Sequence, residues 1–164
     1  MSGGAGEGVE LRAATPADVP VFLDLVDALA DYEQLARPDA AARERLVRDG
    51  FGPQPRFRVL LALVDGAPAG YAFFFETYSS FLARPTMYLE DLFVRPEARG
   101  RGAGLALIRA VAREAVAREC GRMEWTVLTW NRLAIDFYER LGARPLEEWR
   151  TWRLDGDALG AFGT

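Results

Sequence analysis

Between Arg99 and Gly104 the chain reads Arg-Gly-Arg-Gly-Ala-Gly, so Gly100, Gly102 and Gly104 alternate with Arg99, Arg101 and Ala103. Bare backbone amides at the start of a helix, with forked guanidinium donors beside them, suit a phosphate. A second constraint on the chemistry is an absence, because the chain contains no histidine. That excludes a triad with histidine as base and any histidine-ligated metal. Proton transfer near neutral pH falls to a shifted carboxylate, a tyrosine or water. The single cysteine, Cys120, leaves no intramolecular disulfide and no multi-cysteine zinc site. It reads as a small buried hydrophobe rather than a nucleophile, and no metal is expected.

Competing glycine motifs fail on particular residues. A dinucleotide fingerprint G-x-G-x-x-G starting at Gly100 needs glycine where Leu105 stands, and a P-loop needs a lysine, which the chain lacks. What remains is R-x-x-G-x-G over 99–104. The plainer alternative is a tight strand-to-helix turn with two solvated arginines.

The elements around the loop supply the required geometry. Tyr88–Val94 is an apolar run too short for a helix and rich in aromatic and branched residues, which predicts a buried strand. Pro96 ends it. Leu105, Ile108, Val111, Ala112, Ala115 and Val116 recur at helical spacing, with Gly121 as the stop. The order is strand, glycine-rich turn, helix, which aims the positive end of a helix dipole at one point.

Elsewhere, Val9, Leu11 and Ala13 alternate as a first strand. Thr15, Pro16 and Asp18 mark a helix start. Its buried stripe is Val19, Phe22, Leu25, Val26 and Leu29, ending near Ala30, with a loop over Asp31-Tyr32-Glu33. A second helix spans Asp39–Arg48, stopped by Gly50. Phe57–Val64 and Gly70–Thr77 form a hairpin across Asp65-Gly66-Ala67-Pro68, with Tyr71, Phe73 and Phe75 on a core face. Tyr78–Pro85 reads as a loop suited to substrate contacts. Met123, Trp125 and Val127 alternate as the next strand, and Trp130 reads as core. Asn131 caps a helix carrying Leu133, Phe137 and Leu141 and closed by Gly142, and Trp149–Leu154 is a last strand. The resulting β-α-α-β-β-β-α-β-α-β order predicts a mixed α/β fold, with helices on both faces of the sheet.

At 164 residues the chain predicts one domain over 9–164, preceded by a glycine-rich tail at 1–8. The tail lacks the basic and apolar regions of a signal peptide, which implies a cytoplasmic protein. A net charge of −4 without a basic run argues against nucleic acid. No apolar run approaches ~18 residues, which argues against a membrane span.

Taken together, these stretches resemble the GCN5-related N-acetyltransferases (GNAT), and within them the diamine (spermidine/spermine) and thialysine acetyltransferases. The resemblance rests on LADYE at 29–33, DGFG at 49–52, YLEDLFV at 88–94, RGRGAG at 99–104, WN at 130–131, DFYERLGA at 136–143 and WRL at 152–154. It implies the GNAT fold with a mostly antiparallel sheet, acetyl-CoA as cosubstrate, a small-molecule amine as acceptor, and a homodimer with the site near the subunit boundary. It further implies pantetheine along Leu92, Phe93 and Val94, and pyrophosphate on the loop and amides from Arg99 through Gly100, Arg101, Gly102, Ala103 and Gly104 to Leu105. Further cofactor contacts would come from Asn131, Arg132, Leu133, Ala134 and Tyr138. Glu90 takes the family's place of proton acceptor through water, and Tyr138 that of acid. Tyr32, Glu33, Glu90, Asp91, Glu124 and Trp125 fall where that branch contacts its amine.

Two departures bear on the substrate. The polyamine enzymes carry acids in the loop before the central strand and just before the final tryptophan. Here stand Ser79, Ser80 and Arg84, with one residue more, and Trp149, Arg150 and Thr151. Arginine in place of a carboxylate disfavours a polycation, so Arg150 points to a short amine. On the strand, Glu90 beside Asp91 is expected to be buried, with a pKa raised by desolvation and like charge. The Glu90-Asp91 pair could instead be a simple strand-end feature. Two other functions compete: an acyl-CoA-binding module without chemistry, and acetylation of protein N-termini or lysines.

Overall fold

The computed structural model describes residues 8–164. They form two compact units, one running to Thr126 and the other covering Val127–Thr164. The tail expected at 1–8 lies outside the described residues apart from Gly8, whose carbonyl accepts from the Asp65 amide at 2.8 Å. No helix among the described residues is long and apolar enough to cross a membrane.

The first unit is built on five strands in the order β1-β2-β3-β4-β5: β1 (Val9–Ala13), β2 (Arg58–Val64), β3 (Ala67–Ser79), β4 (Arg84–Val94) and β5 (Arg122–Glu124). Neighbours from β1 to β4 run antiparallel, and β5 is parallel to β4. The β2–β3 turn is Asp65-Gly66, both at positive φ (52° and 80°), the conformation that two-residue hairpins favour. Three helices accompany the sheet: α1 (Val19–Tyr32), α2 (Ala40–Phe51) and α3 (Ala103–Ala117).

Strand alternation sorts side chains onto two faces. Val59, Leu61, Tyr71 and Phe93 point toward Phe22 and Leu25 of α1 and form one buried cluster with Phe57. Phe73 stacks on Phe57 at a centroid distance of 4.0 Å. On the other face Arg58 pairs with Glu114 of α3, and Arg118 with Glu76 at 2.9 Å. Leu107 and Val111 are fully buried there. Burial of such side chains is worth about 1.5–3 kcal/mol each, which holds the sheet between the two helices. The start of α1 is locked by Asp18, which accepts from both Arg12 nitrogens at 2.7 Å and from the Thr15 amide at 2.8 Å.

Several boundaries depart from the sequence reading. Asp31 and Tyr32 belong to the last turn of α1, and Glu33 is its cap. Helix α2 runs through Gly50 to Phe51, because a side chain at 50 would meet the Phe57 ring at 2.4 Å and glycine is needed for packing rather than as a stop. The expected loop at 78–85 is mostly strand, with Tyr78 opposite Pro85 and Ser79 opposite Arg84, leaving a short tip. Helix α3 ends at Ala117 with Glu119 in the left-handed region (φ 56°), before Gly121 is reached. Strand β5 stops at Glu124, so Trp125 and Val127 lie beyond it.

The second unit contains α4 (Arg132–Arg140) and α5 (Gly156–Phe162). Asn131 caps α4 by accepting from the Ala134 amide at 3.2 Å, and Gly142 (φ 85°) follows its end. Trp130 is half exposed rather than core. The strand expected over Trp149–Leu154 is irregular chain, and α5 stands after it where no helix is expected.

Candidate active site

The site grows from a defect in β4. Register passes from Phe73 opposite Asp91 to Phe74 opposite Leu89, so Glu90 is an extra residue, a β-bulge. Bulges re-aim side chains and recur beside active sites. This one turns Glu90 into solvent, contrary to the expectation that it is buried. Asp91 then faces the α1 side of the sheet, partly buried. The Tyr71 hydroxyl donates to Asp91 Oδ2 at 2.9 Å. Burial pushes the Asp91 carboxyl up to about 6, against the lowering effect of that hydrogen bond, and the charges of Glu90 and Glu33 push the same way. Burial also raises Glu33, at the end of α1.

Three carboxylates, Glu33, Glu90 and Asp91, thus converge from α1 and β4. Tyr32 joins them, its ring 6.2 Å from that of Phe93. The Arg99 guanidinium lies 4.7 Å from the centre of the Tyr32 ring, and its Nε donates to the Val94 carbonyl at 3.0 Å. Beside this group β4 has a bare edge. Its pairing with β5 ends at Tyr88 opposite Glu124, so among the described residues Leu89–Val94, including Leu92 and Phe93, has a strand neighbour on one side only. Such an edge offers unpaired amides and carbonyls to an extended ligand.

The glycine loop follows within a few residues. Gly100 and Gly102 sit at φ 78° and 86°, values that side chains rarely adopt. A side-chain carbon added at Gly100 would meet nothing within 4 Å beyond its chain neighbours. Gly102 caps α3, and the amides of Ala103, Gly104 and Leu105 open its first turn without intrahelical acceptors. This arrangement can receive an anion. Arg101 forks onto Asp65 of the β2–β3 turn, both contacts at 3.0 Å, which orients it along the rim of the loop.

Glu124 ends β5, ion-paired with Arg122 at 2.9 Å, and Trp125 follows it, partly buried. Asn131, Arg132, Leu133, Ala134, Tyr138 and Arg150 belong to the second unit. The first four form the cap and first turn of α4, Tyr138 lies in the middle of that helix, and Arg150 is exposed in the irregular segment after it. Cys120 is partly buried, and burial pushes its thiol up, which suits an inert side chain.

The acetyltransferase (GNAT) family profile matches residues 22–143, most of the chain. The chain belongs to the GNAT acetyltransferase family. It is therefore an acyltransferase. This GNAT enzyme is 37% identical to the thialysine N-epsilon-acetyltransferase of Sus scrofa, over 92% of its own length and 95% of the relative's. It is 33% identical to the L-ornithine N5-acetyltransferase NATA1 of Arabidopsis thaliana, over 93% and 86%. Among solved structures, the integron cassette protein VCH_CASS6 from V. cholerae superposes with a TM-score of 0.77 at 26% identity, covering 96% of this chain and 99% of that one. The likeness to the thialysine and spermidine/spermine branch read from the motifs is borne out by these relatives.

Sequence reasoning missed Tyr71 as part of the site. Its alternation with Phe73 and Phe75 does mark a core residue. The signal that could have found it is its being the one member of that face with a hydroxyl, which when buried needs a partner.

Proposed function

We propose that this GNAT enzyme transfers the acetyl group of acetyl-CoA to the primary amine of a small molecule, by direct attack in a ternary complex. The acceptor class is a short diamine, a thialysine-like amino acid or a polyamine. The observation that carries this reading is the convergence of Glu33, Glu90 and Asp91 beside the bare β4 edge. Three neighbouring acids suit an ammonium, and the edge suits an extended pantetheine arm. The thialysine and ornithine relatives act on amines by name, which supports the same class.

In this reading the pyrophosphate of acetyl-CoA sits on the α3 amides behind Gly102, with the Asn131–Ala134 turn and Arg132 adding contacts. An alkylamine of pKa ~10.4 arrives protonated and must lose a proton before attack. Exposed Glu90 accepts that proton through water, while Asp91, Glu33, Tyr32, Glu124 and Trp125 hold the amine. The free lone pair attacks the thioester carbonyl, and a strand amide such as that of Phe93 stabilises the oxyanion. The C–S bond then breaks, and the Tyr138 hydroxyl gives its proton to the leaving thiolate. Holding both reactants in place supplies up to ~7–11 kcal/mol. The family likeness also carries the expectation of a homodimer, which sedimentation checks.

The test is an amine panel of spermidine, thialysine and short diamines, assayed by release of free CoA thiol. Thiol release with at least one small primary amine is the expected result. Release only with peptide N-termini or protein lysines would transfer the reading to a protein acetyltransferase.

A further inference from the structure

The Tyr71–Asp91 hydrogen bond has no role in the reaction described above, yet it is built into the core. Tyr71 is fully buried, with the edge of its ring against Phe22 at 5.8 Å, and its backbone stands opposite Phe93 across the β3–β4 ladder. The ring is therefore packed within the core cluster. Its hydroxyl meets Asp91 Oδ2 at 2.9 Å. Burial and the neighbouring acids push the phenol far above its ordinary range, so it donates at every accessible pH. Asp91 is in turn held at one oxygen, immediately after the bulge at Glu90. Among the described residues the groups acting on its charge are Tyr71 from β3, Glu90 from β4 and Glu33 from the end of α1.

We infer that Tyr71 is a positioning residue for the amine site: its buried hydroxyl holds the Asp91 carboxylate in place and, by donating to it, favours its charged form, so that a substrate ammonium meets a full acidic cluster. The physical reason is a balance of opposed effects. Desolvation, Glu90 and Glu33 all favour the protonated form of Asp91, and the Tyr71 hydrogen bond alone among the four favours the anion. Without it, Asp91 would take up a proton close to neutrality, and the site would lose one negative charge where a cation must bind. The inference rests on the amine-acetylating reading for its substrate, but not for the effect on Asp91.

Tyr71→Phe removes the hydroxyl and leaves the ring to pack. In the ligand-free enzyme, the Asp91 carboxyl resonance is followed by carbon NMR against pH, with Asp91→Asn to assign it. Its midpoint should rise by about one to two pH units, as the loss of a hydrogen bond to a charged group implies. The KM for a cationic amine at pH 6.5 should then rise ~3–25-fold, with the difference nearly closing by pH 9 where Asp91 is largely ionised in both proteins. Acetyl-CoA affinity should hold. Asp91→Asn, which keeps an acceptor for Tyr71, should show a raised KM at both pH values. An Asp91 midpoint that stays put in Tyr71→Phe overturns the role of Tyr71. A midpoint that moves while KM does not overturns the placement of the amine at Asp91, and so separates that failure from the first.

Discussion

Arg99 lies over the ring of Tyr32 at 4.7 Å, so the loop before α3 rests on the last turn of α1. Because the Arg99 Nε is also held by the Val94 carbonyl, one side chain links the glycine loop, the end of β4 and the helix that ends in Glu33. Arg99→Ala should therefore weaken acetyl-CoA binding and also raise the KM for the amine. Cation–π contact at an exposed site contributes ~0.5–1 kcal/mol, or roughly 2–5-fold. Arg99→Lys keeps the charge but loses the flat, forked contact. Calorimetry for acetyl-CoA and steady-state kinetics for the amine are the measurements. A lysine variant equal to the native enzyme in both would mean that charge alone matters there.

Gly102 caps α3 at φ 86°. A branched residue in that conformation carries strain of about 1–3 kcal/mol and adds bulk where the α3 amides face outward. Gly102→Val is expected to reduce acetyl-CoA affinity at least several-fold in a protein that still melts cooperatively. Unchanged affinity by calorimetry would place the pyrophosphate elsewhere.

The stretch from Leu89 to Leu105 was legible in the chain because its signals are local: an apolar run, a proline, three glycines and a helical stripe. The same holds for the Asn131 cap, which needs only an amide three residues on. What could not be read depends on distant partners. Glu90 and Asp91 are legible as an acidic pair on a strand, but which of them turns inward depends on the bulge, and so on register with β3. The partner of the Tyr71 hydroxyl lies twenty residues away for the same reason. The Trp149–Leu154 segment has strand-like residues, but strand formation requires a neighbour to pair with, and among the described residues no strand pairing includes this segment. Gly50 resembles a stop signal, yet the Phe57 ring explains its small size instead.

Asp91 should make the protein less stable than it could be. Its carboxyl is raised to about 6 in the fold, so the folded state holds an extra proton between about pH 4 and pH 6. Stability is therefore lost as pH rises through that window, the reverse of the usual salt-bridged carboxylate. Asp91→Asn removes this loss and retains an acceptor for the Tyr71 hydroxyl. Its melting temperature should exceed the native one at pH 7.5, by a stability gain of at most about 3 kcal/mol for a shift of about two pH units. Below pH 4 the two curves should meet. A variant less stable than native at pH 7.5 would show that Asp91 contributes packing or hydrogen bonds beyond its bond to Tyr71.

Glu90 stands in solvent on the bulge, and its exposure changes what its replacement should do. Glu90→Gln keeps the shape of the side chain but cannot take a proton, so in the proposed mechanism turnover at pH 7 should fall. A step assisted by a general base typically loses 10²–10⁴-fold when the base is removed. An exposed carboxylate working through water belongs at the lower end of that range, because solvent supplies competing acceptors. Raising the pH toward ~10 should recover part of the rate, since more free-base amine then arrives from solution. Tyr71 and Asp91 remain intact in this variant, so the acidic cluster keeps most of its charge and KM should change less than kcat. The measurement is kcat and KM across pH 6–10 for a short diamine and for spermine. Arg150, which stands where the polyamine enzymes have acid before their final tryptophan, should make the short diamine the better substrate in the native enzyme. A pH profile identical to the native one would remove Glu90 from the role of base, and a preference for spermine would remove the charge argument from Arg150.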